Sequence, residues 1–135
     1  MKITKQKQKL IDEIAKKYQL RLLLLFGSQA DGATHKHSDF DAAYLSRKDL
    51  DLMQEGALIT DLFGVFESDK VDLANLKIAS PLLAHGIFEN SQVLYEAEEN
   101  LYNELSVYAF KRFIENMPLY QLKRERLKEL AKSNV

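Results

Sequence analysis

Residues 20–45 read LRLLLLFGSQADGATHKHSDFDAAYL, and the fold turns on them. Leu20 to Phe26 is a short apolar run stopped at Gly27, the pattern of a buried strand. Gly27 to His37 is polar and rich in small residues, which predicts a turn and a short helix. From Ser38 to Leu45 the pattern alternates. Asp39, Asp41, Ala43 and Leu45 face one way, and Phe40, Ala42 and Tyr44 the other, so a second strand follows.

Upstream, Leu10, Ile11, Ile14 and Tyr18 recur at helical spacing within about Thr4 to Tyr18. Downstream, Ser46 is a candidate cap for a helix through about Leu62, with Leu50, Ala57, Leu58 and Leu62 toward the core and Gly64 as its stop. Asp69 to Leu76 predicts a third strand. Ser80-Pro81 starts a helix that ends near Asn90, and Ser91 to Glu96 is a last short strand. From Glu98 the pattern is helical to the end, with Pro118 expected to kink or break it. Alternating helices and strands predict a small sheet covered by helices. There is no internal repeat and no low-complexity linker.

The chain has 135 residues, 46% of them hydrophobic and 29% charged, which suits one ordinary domain with a single core. Lys and Arg number 19 against 20 Asp and Glu, for a net charge of -1. Such a balance gives no global pull toward nucleic acid or membrane, so no direct nucleic-acid binding is expected. The absence of cysteine removes disulfides, thiolate chemistry and cysteine-ligated zinc. The basic N-terminus runs into Asp12 and Glu13 rather than an apolar signal stretch. The longest apolar run, Leu22 to Phe26, is far short of a membrane span. The expectation is a soluble, cytoplasmic protein.

Three features carry chemistry. Gly27-Ser28 follows a strand and precedes a predicted helix. Glycine lets backbone approach a ligand, helix-start N–H groups attract phosphate, and the Ser28 hydroxyl adds a donor. The turn is therefore either a triphosphate cradle or a plain strand-to-helix connection. Asp39 and Asp41 leave one face of a strand with Cα atoms roughly 6.5 Å apart. Two carboxylates that close repel unless a cation lies between them, and hard oxygen ligands favour magnesium or manganese. The alternative is a solvated acidic strand edge. Asp72 lies between Val71 and Leu73, where burial would be costly without a partner. On a strand beside Asp39 and Asp41 it would complete a set of three acids able to hold two metals roughly 3.5–4 Å apart for in-line phosphoryl transfer. Otherwise it is an edge acid facing water.

Together these residues resemble the DNA polymerase beta-like nucleotidyltransferase superfamily. Gly27-Ser28, ten residues, then Asp39-Phe40-Asp41 and a later acid match its motif, and Ala30 and Gly32 fit the common Gly-Ser-x-Ala-x-Gly form. The small size, Val71-Asp72-Leu73, Ser80-Pro81-Leu82-Leu83 and Val93-Leu94-Tyr95-Glu96 are similar to the MNT subgroup, the antitoxins of HEPN–MNT toxin–antitoxin pairs. The resemblance runs from about Leu20 to Glu96, and more loosely through the tail.

It implies an α+β fold, a small mixed sheet flanked by helices, with a nucleotidyltransferase core over 1–97 and a C-terminal helical extension over 98–135. It implies that Gly27 and Ser28 bind the nucleotide, and that Asp39, Asp41 and Asp72 are catalytic and metal-binding. It implies Mg²⁺ or Mn²⁺ as cofactor, ATP as substrate, and AMP transfer to a tyrosine of a partner HEPN RNase toxin. HEPN RNases carry an Arg and then His-x-Tyr. Here none of His35, His37 and His85 has a tyrosine two positions on, so the chain is not the toxin half.

A small-molecule nucleotidyltransferase of aminoglycoside type, or an antitoxin acting by binding alone, remain the alternatives. The C-terminal apolar stripe of Leu101, Leu105, Tyr108, Phe113, Leu119 and Leu122, widened by Tyr102 and Phe110, ends in Lys123, Arg124, Arg126, Lys128 and Lys132. It either docks the partner or packs on the chain's own sheet. His35 and His37 read as a solvated loop rather than a zinc site. Tyr44, Phe88 and Tyr95 read as core.

Overall fold

The structure is a computed structural model that describes residues 1–30 and 39–133. Helix α1 covers Lys5–Lys17, and its N-cap Thr4 accepts a hydrogen bond from the backbone of Lys7. Strand β1, Leu20–Phe26, runs into a 3-10 turn at Gly27–Gln29. Strand β2 is Phe40–Ser46, helix α2 Leu52–Phe66 and strand β3 Val71–Asn75. Helix α3, Pro81–Glu89, is capped by Ser80, strand β4 is Ser91–Glu96, and helix α4 is Leu101–Ser133.

The four strands form one sheet in the order β3-β2-β1-β4. β1 pairs antiparallel with both β2 and β4, and β2 pairs parallel with β3, so the sheet is mixed. The α+β class expected from the sequence is found.

Alternation along the strands splits the apolar side chains between two faces. On one, Leu23, Leu25, Ala42, Tyr44 and Leu94 pack with Ile11, Ile14, Leu58 and Leu62 of α1 and α2. On the other, Leu22, Leu24 and Ala43 pack with Ala84, Ile87 and Phe88 of α3 and with Leu101 and Ala109 of α4. Asp41 alternates with Ala42 and precedes Ala43 by two, so it shares the second face.

Several local expectations are corrected. Ser46 does not cap α2; its hydroxyl donates to the Lys48 carbonyl. The cap is Asp51, in a reciprocal capping box with Gln54. Gly64 does not stop the helix, which runs to Phe66 and ends at Glu67 in a left-handed conformation with φ 54°. Ala57 is exposed rather than core-facing.

Pro118 does not break α4. A proline deprives the helix of one N–H, and the turns on either side carry the helix on. The N-terminal part of α4 joins the core through Leu101 and Ala109, while Leu119, Leu122, Leu127 and Leu130 are exposed. The first turns of the stripe thus pack on the chain itself, and its distal leucines face outward.

Candidate active site

Phe40 fixes the start of β2. Its ring stacks on Phe66 of α2 with centroids 4.8 Å apart. Its backbone N–H donates to the Lys70 carbonyl at 2.8 Å, which ties the first residue of β2 to the residue just before β3. With Phe40 held toward α2, pleating sends its neighbours Asp39 and Asp41 to the opposite face.

Asp41 and Asp72 are register partners across the parallel β2–β3 pair. Parallel partners in register project to the same face of a sheet, and adjacent strands lie about 4.8 Å apart. The two carboxylates are therefore neighbours. Asp41 is half-buried, and Asp39 and Asp72 are exposed. β3 is an edge strand, so the expected burial of Asp72 does not occur; it is an edge acid that still shares Asp41's face.

The electrostatics follow from this placement. Burial, then the charge of Asp72, then that of Asp39, all push the Asp41 carboxyl above its ordinary value of 3.8. Among the described residues no three acidic or histidine side chains are gathered tightly enough to hold an ion as they stand. The donor set nevertheless suits a hard divalent cation. Asp39, Asp41 and Asp72 share this end of the sheet, and the Asp41 carboxyl is raised by burial and by its neighbours' charge, a tension that a cation would relieve.

The turn after β1 abuts this cluster. Phe26 is the register partner of Asp41, so Gly27 follows directly beside it. Gly27 has φ +77°, and a Cβ there would stand 2.8 Å from Asp41 Oδ2. Only glycine allows that backbone conformation and that approach without strain. The Ala30 N–H donates to the Gly27 carbonyl at 3.1 Å, closing the turn. Ser28 is exposed on it, and Gln29 is buried. All five expected residues thus lie at one end of the sheet. The predicted helix after the turn, with His35, His37 and Lys36, lies outside the described residues.

One residue escaped the sequence reading. Asn90, at the end of α3, donates from Nδ2 to the Gly27 carbonyl at 3.2 Å, across 63 residues. Asparagine at a helix end is an ordinary stop signal, and nothing in the sequence says where its amide points. His85, which the sequence reads as structural or exposed, has a structural setting: it stacks on Phe113 at 4.1 Å and pairs with Glu89 at 3.2 Å.

Comparison with known proteins gives the family. Residues 8–100 match the family model described as "Polymerase beta, Nucleotidyltransferase". A relative from Shewanella oneidensis named protein adenylyltransferase MntA is 34% identical over 81 residues, 60% of this chain and 58% of its own length. A relative of the same name from Aphanizomenon flos-aquae is 32% identical over 87 residues, 57% of each chain. The chain thus spans less than two thirds of these curated relatives. A crystal structure described as a toxin–antitoxin with AMP-PNP superposes with TM-score 0.66 at 25% identity, covering 95% of this chain and 98% of that one.

Proposed function

The chain belongs to the Polymerase beta nucleotidyltransferase family, and from that premise we propose that it is an antitoxin that transfers AMP from ATP to a tyrosine hydroxyl of a partner HEPN-family RNase toxin, silencing it. The observation that carries this is the pairing of Asp41 with Asp72 on one sheet face, with Asp39 nearby and Gly27 against Asp41. The adenylyltransferase names of the two relatives and the AMP-PNP complex support the choice of nucleotide.

In this reading Gly27 and Ser28 hold the ATP phosphates through turn N–H groups and the serine hydroxyl. Asp39 and Asp41 take the magnesium that accompanies the triphosphate, and Asp72 completes the site beside the attacking hydroxyl. Magnesium, when bound by these carboxylates, would supply positive charge to offset that of the triphosphate. The acceptor hydroxyl gives up its proton to solvent as its oxygen bonds to the α-phosphorus and the bond to pyrophosphate breaks, and pyrophosphate leaves. The chain's own contribution is positioning and electrostatics.

The distal turns of α4, where Leu119, Leu122, Leu127 and Leu130 are exposed among basic residues, are the surface we assign to the partner. The stripe continues the one that packs Leu101 and Ala109 into the core, so the partner would extend that apolar contact outward. The pair would act in the cytoplasm.

The test is incubation with α-labelled ATP, magnesium and the product of the neighbouring gene. Label on that protein, lost in Asp39→Asn and Asp41→Asn, is expected. Label only on a small molecule would favour an aminoglycoside-type activity, and tight binding without label an inhibitor that acts by docking. Either result overturns the proposal.

A further inference from the structure

We propose that Asn90 is a positioning residue for the nucleotide-binding turn, an inference that rests on the reading of Gly27 and Ser28 as the phosphate cradle. The Gly27 carbonyl is an acceptor, so the Asn90 atom 3.2 Å away must be the amide nitrogen, donating. This bond crosses from the end of α3 to the turn after β1 and holds the one residue whose backbone is left-handed there.

The amide is itself braced from behind. The next residue, Ser91, is the β4 register partner of Phe26, so Asn90 is anchored one residue from a β1–β4 pair. Ser91 Oγ lies 2.9 Å from the Tyr102 hydroxyl, which also donates to the Phe88 carbonyl at 3.2 Å. The Tyr102 ring packs against Phe88 with centroids 5.5 Å apart. The end of α3, the start of β4 and the root of α4 are thus fastened together, and Asn90 carries their rigidity to Gly27.

The turn needs such a fastening. Its carbonyl must point away from the anionic phosphates so that the N–H groups face them. A donor on the carbonyl holds that orientation. Asn90 touches neither phosphate nor metal in this scheme; it acts through Gly27. Its loss should therefore weaken nucleotide binding and leave acceptor recognition alone.

The experiment compares wild type with Asn90→Leu, which keeps much of the volume and removes the donor without adding charge, and Asn90→Ala, which removes the side chain. Calorimetric titration with a non-hydrolysable ATP analogue and magnesium should show roughly tenfold weaker binding in both, the size of one lost hydrogen bond. Thermal unfolding checks that each variant is folded. In the transfer assay KM for ATP should rise with KM for the acceptor protein unchanged.

Analogue affinity equal to wild type in a folded variant, or a fall in kcat with KM for ATP unmoved, would overturn the proposal. The titration needs no acceptor. A wild type that binds the analogue but transfers nothing therefore refutes the transferase reading alone, and Asn90 is still decided by the variants' affinities.

Discussion

Replacing Gly27 with alanine separates the stability of the turn from its chemistry. Gly27 sits at φ +77°, where a side chain strains the backbone by about 1–2 kcal/mol. The added methyl would also lie 2.8 Å from Asp41 Oδ2. That oxygen is the end of a rotatable side chain, so it can retreat by about half an ångström at little further cost to stability. The retreat is costly to catalysis, because misplacing a reacting group by roughly 1 Å can lower a rate on the order of 100-fold. Gly27→Ala should therefore unfold about 1–2 kcal/mol more easily in a denaturant titration, yet remain folded at room temperature. Its initial rate of AMP transfer should fall by roughly 10- to 100-fold. Wild-type stability together with wild-type transfer would show that neither the backbone nor Asp41 is constrained as described, and the reasoning would fail.

Other glycines should behave in the opposite sense. Gly56 lies within α2 with nothing within 4 Å of an added Cβ, so Gly56→Ala should raise the unfolding free energy by about 0.5–1 kcal/mol, and a loss would refute the open-space reading. Asp51→Ala, which removes the capping box of α2, should cost about 1 kcal/mol by denaturant titration, whereas Ser46→Ala should cost far less. Asp61 accepts hydrogen bonds from Tyr18 at 2.6 Å and Lys17 at 2.9 Å. Burial pushes its carboxyl up, but these donors outweigh burial and hold it below 3.8. A depressed carboxyl gives stability that is present above the unfolded value and lost as pH falls through the folded one. The stability gap between wild type and Asp61→Asn should thus narrow on acidification from neutral pH to below 3.8. A constant gap across that range would contradict the linkage.

The strand Leu20–Phe26 was legible to the residue because an apolar run ends at a glycine that the backbone needs. The pleat of β2 was equally legible: Phe40, Ala42 and Tyr44 must be buried, so Asp39 and Asp41 had one face left to them. The start of α2 was misread although the signal was present. Ser46 and Asp51 are both good caps, and the Gln54 three residues after Asp51 is what decides between them. Gly64 misled for a different reason: Glu67 takes the left-handed position at the helix end, a role for which glycine is only the commonest choice.

That Asp72 shares Asp41's face could be hoped for from alternation, but its exposure depends on β3 being an edge, which is a matter of strand order. Asn90 was out of reach altogether. Its partner is 63 residues away, and no local pattern records a contact of that kind.

The most direct test of the central claim is a crystal structure of the protein with manganese and a non-hydrolysable ATP analogue, with the ions located by their anomalous scattering. The account predicts manganese in contact with carboxylate oxygens of Asp39, Asp41 and Asp72, with the analogue's phosphates against Gly27 and Ser28. Manganese bound elsewhere, or a bound nucleotide that leaves Asp72 uncoordinated and remote, would contradict it.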